Sequence, residues 1–315
     1  MTRKLHIGRI LFALVPLLAI SSGAQATLAN RVFVAAKSGN DANACNSVTT
    51  PCQTFAGAIT QVSAGGEIIA LESGGYGPVT INMAVTINAP AGIVAFIHPP
   101  SGDAITINTG ATDTVILRGL TLNGGAGNGI TVSAVGTLNV ENCFIAGFTS
   151  YGIHMLSNGR LNVTGTDITA CNNGVLIFGS TGLVQASIDH CHLDGNAYGG
   201  FYVRTTSPGS STTTATYSTA NHNSYLGWIC GSSTSGKDVL NLEFCTGSEN
   251  AADGLVNSSA NALSVARYSN CVFANNASYG VMNDLSGTVE TRGNNTITGN
   301  GTAATYGTIG SFSPM

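Results

Sequence analysis

The chain has 315 residues, of which 11 are Lys or Arg and 15 are Asp or Glu; charged residues make up 8 % and glycine fills 41 positions. An ordinary soluble domain carries about a quarter charged residues, and eleven scattered cations build no basic nucleic-acid-binding face. Disorder is excluded as well, because 43 % of the residues are hydrophobic and the net charge is only −4.

In chain order, Arg3, Lys4 and Arg9 flank the start of an apolar run at residues 10–20, and Ala24-Gln25-Ala26 reads as a small-x-small cleavage site. Residues 1–26 are expected to be a secretory signal peptide. The run is shorter than the ~20 residues a membrane-spanning helix needs, and no later segment approaches that length, so no membrane span is expected. Without the leader, eight cations face fifteen acids, a net charge of −7. The expected product is anionic and exported, with periplasmic, cell-surface and secreted destinations all open.

Residues 27–76 read as an N-terminal cap. Residues 31–36 form a strand pattern, and Thr50-Pro51 supplies a helix N-cap followed by proline at the first helical position. Phe55, Ile59 and Val62 then fall at i, i+4 and i+7, one apolar stripe on a short helix ending at Gly65-Gly66. Over the open end of a sheet such a helix would cover unpaired strand edges. Cys45 and Cys52 lie seven apart in a polar loop, where a local disulfide is expected; the other six cysteines sit in apolar strand patterns and read as small buried hydrophobes.

Residues 77–315 repeat. A small residue followed by another side chain recurs at Ala104-Ile105, Gly129-Ile130, Gly152-Ile153, Gly174-Val175, Gly200-Phe201, Gly227-Trp228, Gly254-Leu255, Gly280-Val281 and Gly307-Thr308, at intervals of 22 to 27 residues. Asn196, Asn223, Asn250 and Asn276 each stand four residues before their glycine, and Cys143, Cys191, Cys245 and Cys271 each stand nine before. A unit of this length, with short β-rich runs and Gly, Asn, Ser and Thr turns, cannot bury its apolar side alone. Stacked copies bury it at about 4.8 Å spacing. The expected fold is all-β, a right-handed parallel β-helix of about ten coils, with asparagines in the turns, where they tolerate left-handed backbone and their amides can bond the next asparagine of the ladder. After Gly307 only one short strand remains, so self-association through the C-terminal edge is an open expectation.

Val32-Phe33-Val34 to Ser38-Gly39-Asn40-Asp41, Thr50-Pro51-Cys52-Gln53-Thr54-Phe55 and Gly65-Gly66-Glu67-Ile68-Ile69 resemble the entry segment of secreted pectate-lyase-like right-handed β-helix proteins, and Asn142-Cys143-Phe144-Ile145 and Asn270-Cys271-Val272-Phe273 are similar to their generic repeat. The resemblance covers residues 31–310. It implies the fold, and a set of activities that includes polysaccharide lyases, glycoside hydrolases, uronate epimerases and non-catalytic surface proteins. For such enzymes it also implies a site on the outer face of the anchor-glycine strands. Lyases there hold Ca²⁺ with acids; hydrolases use paired carboxylates.

With the residue after each glycine pointing inward, the next residue faces out: Thr131, His154, Leu176, Tyr202, Ile229, Val256 and Met282. None is an acid, and residues 205–214 and 232–238, read as long turns, add only Lys237 and Asp238. His154, Tyr202 and Arg204 are the glycan-binding candidates, because aromatic faces stack on sugars and arginine clamps carboxylates. His190, His192 and Asp194 form a second candidate: two histidines at i, i+2 with an acid can hold Zn²⁺ or Cu²⁺. Against it, His190 occupies the turn position of Asn142 and Asn270. Asp238, Glu249, Asp253, Glu67, Glu72 and Asp103 read as solvated turn residues, and Arg118 and Glu141, at matching positions on successive coils, as a surface ion pair. Three readings follow: an exported glycan-contacting or structural module needing no cofactor; a polysaccharide lyase or hydrolase, with Ca²⁺ in the lyase case; and a periplasmic metal-binding module. No catalytic residue is assigned. Polysaccharide is the expected partner, with no nucleic acid.

Overall fold

A computed structural model describes residues 28–179, 181–206, 208–231 and 236–313, together with Thr2; the expected leader lies outside them. The chain is a right-handed parallel β-helix of about nine turns. Each turn passes through three faces. The first is a 12-stranded sheet running from Ala29–Val34 to Ile309–Ser311; the second, a 10-stranded sheet from Val79–Ile81 to Ala303–Tyr306, carries the anchor glycines. The third face is narrow. Its 5-stranded sheet is continued by single bridges through His192, Thr219 and Thr246 to the pair Val272–Ala274 and Thr296–Thr298.

Anchor residues stack in register, Ile105 on Ile130, Ile153, Val175, Phe201, Trp228, Leu255 and Val281, all buried in one continuous core. The glycine before each is a packing requirement. A Cβ on Gly152 would lie 2.2 Å from Ile168 Cγ2 and 2.6 Å from the Gly174 carbonyl of the next coil.

Two columns of left-handed residues, five positions apart, bracket the narrow face. One holds Gly119, Asn142, Gly165, His190, Tyr217, Phe244 and Asn270; the other holds Gly124, Gly147, Ala170, Gly195, His222, Glu249, Asn275 and Gly299. Asn142, Asn270 and Asn275 take left-handed turn positions, but the asparagines of the ladder do not; they bond amide to amide from coil to coil, as the spacing implied. Each follows a left-handed residue and turns inward: Asn196, Asn223, Asn250 and Asn276 are buried, and each backbone N–H donates to the next ring's amide oxygen at 2.9–3.0 Å, ending on Asn300. A buried carbonyl and amide are satisfied in every coil, which is what holds adjacent coils at a fixed rotation.

Three local expectations are corrected. The helix is only Phe55–Ala58, capped by Thr54, whose hydroxyl accepts from Gly57 N at 2.9 Å. Asp41 sets this start by accepting from Gln53 N and Thr54 N, while Pro51 precedes it in a loop. Val62, Gly65 and Gly66 belong instead to the strand Val62–Ala70, because its edge is taken by Ala29–Val34 on one side and Val85–Asn88 on the other, and sheet pairing outweighs a three-point helical stripe. Phe55 packs on Tyr76 at 4.8 Å between ring centroids. At the far end the anchor pair is Ala304-Thr305, not Gly307-Thr308, since Val281 aligns with Thr305; Gly307 is a left-handed turn with φ 75°. Finally, the strands Ser210–Thr216 and Lys237–Glu243 of the 12-stranded sheet begin inside the two expected long turns, taking up 210–214 and 237–238; residues 232–235 lie outside the described residues.

Cys45 and Cys52 form a disulfide with Cα atoms 5.1 Å apart, and the other six cysteines are buried free thiols. Arg118 pairs with Glu141 at 2.7 Å, and Arg267 with Glu290 at 2.7 Å, across neighbouring strands of the 12-stranded sheet.

Candidate functional site on the ten-stranded sheet

The outward row on this sheet runs Thr80, Thr106, Thr131, His154, Leu176, Tyr202, Ile229, Val256, Met282 and Tyr306, each paired with the next. A second row stands two residues before the anchor residues: Asp103, Asn128, Tyr151, Asn173, Gly199, Leu226, Asp253 and Tyr279, of which Leu226, Asp253 and Tyr279 line the outer groove described below. The sequence reading missed this row. Its signal was present, because Asp103 and Asp253 each immediately precede the small residue of an anchor pair, Ala104 and Gly254, at the same repeat position.

Towards the C-terminal half these rows make a groove of about 470 Å³ lined by Tyr198, Tyr225, Leu226, Asp253, Val256 and Met282, with Tyr279, Ser258 and Asp284 at its edges. Leu226, Ile229 and Val256 form an apolar cluster of their own, separate from the core and packed against Tyr202 and Met282. Tyr198 lies 5.2 Å from Tyr225 and 6.3 Å from Tyr202 between ring centroids. Asp253 is only 7 % exposed and accepts from Tyr279 N at 2.7 Å. It is thus a wall residue, not a solvated turn acid. Asp238 is likewise internal: its carboxylate accepts from Thr205 Oγ1, Thr205 N and Ser211 Oγ, and burial pushes its pKa above the usual carboxylate range.

The glycan-binding candidates divide. Arg204 lies beside the Tyr202 phenol at the head of this groove, and burial raises the phenol above its usual value, partly offset by that cation. His154 is two rungs away, separated by Leu176, or roughly 10 Å at the strand spacing. It belongs to another group. Its ring packs on Tyr151 at 4.5 Å, and Asp103, whose carboxylate accepts from Thr131 Oγ1 at 2.6 Å and Asn128 N at 2.7 Å, acts on it through space. Between the two groups the buried Asn173 side-chain oxygen has no hydrogen-bond partner among the described residues.

Burial lowers the His154 pKa below its ordinary value of 6.5, and Asp103 only partly opposes this. The folded protein therefore keeps this imidazole neutral at pH values where the unfolded chain protonates it. Between the depressed folded value and 6.5 the unfolded state binds more protons, so stability falls as pH drops through that window. His154→Gln is expected to flatten that segment of a plot of denaturation midpoint against pH; an unchanged slope would show that His154 is as solvated as in the unfolded chain.

Of the metal candidates, His192 and Asp194 come together, with His192 Nδ1 3.9 Å from Asp194 Oδ2, while His190 is engaged elsewhere. His190 sits in a left-handed turn, its Nδ1 2.9 Å from Asp189, and stacks on Tyr217 at 5.0 Å. His192 meets Thr219 at 3.0 Å, and Asp194 accepts from Thr219 Oγ1 and Asn221 N. Among the described residues no group of three His, Cys, Asp or Glu side chains could hold a metal ion. The Ca²⁺ of a lyase needs several converging oxygens, and Asp103, Asp253 and Asp284 lie coils or strand-lengths apart. The donor set does not fit that ion.

Of solved structures, a pectate lyase, Pel9A, superposes with a TM-score of 0.67 at 14 % identity, over 91 % of this chain and 79 % of that one. A GH136 lacto-N-biosidase from Eubacterium ramulus gives 0.49 at 9 % identity (90 % and 68 % covered), and the A-module of the Azotobacter vinelandii mannuronan C-5 epimerase AlgE6 gives 0.41 at 12 % (80 % and 92 %). At such identities the likeness to Pel9A is one of fold. No curated protein matches the sequence. The family described as right handed beta helix region matches residues 84–244, just over half of the chain, and the stacked coils are its architecture: this protein belongs to the right-handed β-helix family.

Proposed function

We propose that the groove on the 10-stranded sheet binds a glycan, as part of an exported module that works by contact. The observation that carries this is the outward apolar cluster of Leu226, Ile229 and Val256 beside Tyr198, Tyr202 and Tyr225. Solenoid coils normally keep such side chains inside. Placed outside, next to three phenols, they form a surface for the C–H faces of sugar rings, with Asp253, Ser258 and Asp284 available to hydroxyls. The two acids favour a neutral glycan over a polyuronate. The disulfide, the expected leader and the polysaccharide-acting fold relative support an extracytoplasmic setting.

A hydrolase reading is favoured by one feature, that Asp253 and Asp284 line the same groove. Asp253 is level with Tyr279, five residues before Asp284, a backbone offset of roughly 16 Å. Paired carboxylates that cleave glycosides stand about 5–10 Å apart. The binding reading fits this spacing better.

Calorimetric titration with neutral and uronate oligosaccharides, alongside assays for new reducing or unsaturated ends, tests it. Binding of a neutral oligosaccharide is expected without cleavage, weakened about tenfold or more in Tyr198→Ala and Tyr225→Ala. Undiminished affinity in both variants, absence of any binding, or release of new chain ends would overturn the reading.

A further inference from the structure

We propose that Cys245 and Cys271 close into a disulfide between adjacent coils, while Cys143, Cys171, Cys191 and Cys230 remain thiols. The column that follows the first left-handed turn reads Cys143, Thr166, Cys191, Ser218, Cys245 and Cys271, then Asn295. In this column the Thr166 hydroxyl accepts from Cys143 N at 3.2 Å, the Ser218 hydroxyl from Cys191 N at 3.0 Å, and the Asn295 amide oxygen from Cys271 N at 2.8 Å. Each of these cysteines thus has one neighbour above and one below. For Cys143 and Cys191 those neighbours include Thr166 and Ser218, and no second sulfur adjoins them. Only Cys245 and Cys271 are consecutive.

Their geometry suits the bond. Thr246 and Val272, the next residues, are bridged in parallel register, so the two Cα atoms stand about one strand spacing apart, ~4.8 Å. That lies within the 4.4–6.8 Å span of ordinary disulfides. Both backbones share one left-handed turn, with Phe244 at φ 53° and Asn270 at φ 52°, and both side chains enter the core. The two thiols are in mutual contact; it lowers the Cys271 pKa and raises that of Cys245, so Cys271 is the readier thiolate.

The oxidant is a small disulfide such as oxidised glutathione, met while this coil folds and before the core seals. One cysteine thiolate displaces a glutathione and leaves a mixed disulfide. The second thiolate attacks it, the protein S–S bond forms, and two glutathione thiols depart with the two protons.

The full chain refolded in reduced and oxidised glutathione, alkylated under denaturing conditions and digested with trypsin, gives the test. Cleavage after Lys237, Arg267 and Arg292 puts Cys245 in peptide 238–267 and Cys271 in peptide 268–292. The expected product is these two peptides joined, lighter by two hydrogens, with the other four buried cysteines alkylated and the Cys45–Cys52 bond closed. Cys271→Ser, which copies the serine native at position 218, should leave Cys245 alkylated, and the cross-linked protein should unfold roughly 5–10 °C above the Cys245→Ser/Cys271→Ser variant. Full alkylation of Cys245 and Cys271 in molecules whose Cys45–Cys52 bond has formed would overturn the proposal, as would linkage scattered among other cysteines.

Discussion

Trp228→Ala is expected to destabilise the folded protein by about 3–5 kcal/mol, the largest loss from any single truncation in this core. The indole is fully buried in the anchor row between Phe201 and Leu255, with its ring 5.9 Å from Phe201. Its Nε1–H donates to the Thr246 carbonyl at 2.7 Å, a bond from the 10-stranded sheet across the core to the narrow face. Alanine removes the filling volume and also leaves a buried carbonyl short of a donor. A stacked solenoid has no alternative core into which neighbouring coils can collapse. Denaturant midpoints measured by near-ultraviolet circular dichroism would register the change; a loss below about 1 kcal/mol would mean that the coil repacks freely around the gap.

The second large effect is expected at Asn250. Its side-chain oxygen accepts from Asn223 N and Nδ2, while its own Nδ2 donates to the Ala220 carbonyl at 3.1 Å and to Asn276 Oδ1 at 3.0 Å. Asn250→Ala strips partners from Asn223 N and Ala220 O in an interior that water does not reach, and each orphaned group costs about 1–3 kcal/mol. A total near 3 kcal/mol is expected. Hydrogen exchange gives the local reading, because the Asn223 amide should lose protection while the amides of the first coils keep theirs. Aspartate would not rescue it. An acid there has no N–H to give Asn276 and places a charge in the core.

Several features were legible in the residues alone because a solenoid converts spacing directly into contact. Gly129, Gly152, Gly174, Gly200, Gly227, Gly254 and Gly280 recur at coil length, so the inward row from Ile105 to Val281 and the outward row from Thr131 to Met282 could be written down before any coordinates. The Cys45–Cys52 loop was readable for the same reason, as a purely local feature. Gly307 misled because the last coil is shorter; the Asn300 ladder position, four residues before Ala304, marks the true anchor. The Phe55, Ile59, Val62 stripe misled because three apolar positions suit a helix and a strand equally well, and neighbours on both sides of Val62–Ala70 decided the matter.

The site was less legible. Tyr202 and Arg204 do lie together, but His154 belongs with Tyr151 and Asp103, and the groove-lining Tyr198, Tyr225 and Asp253 escaped notice. Strict alternation places the residue before an anchor glycine inward, yet Tyr151 pairs with Asn173 and Ile153 with Val175 while both Tyr151 and His154 face out. Side-chain direction at that irregular step depends on how two coils meet. Asp103 and Asp253, polar residues beside turns, therefore read as solvated until the neighbouring coil supplied Thr131 and Tyr279 as hydrogen-bond donors.

The sequence by itself determined the coil, its register and its inward face, because these depend on a repeat length and on side-chain volume at fixed spacing. Only the tertiary structure decided which outward side chains gather into a groove, which acids are buried, and which two of six thiols touch. Those outcomes depend on residues more than twenty positions apart being brought to one strand spacing, and on the exact direction each leaves the backbone there.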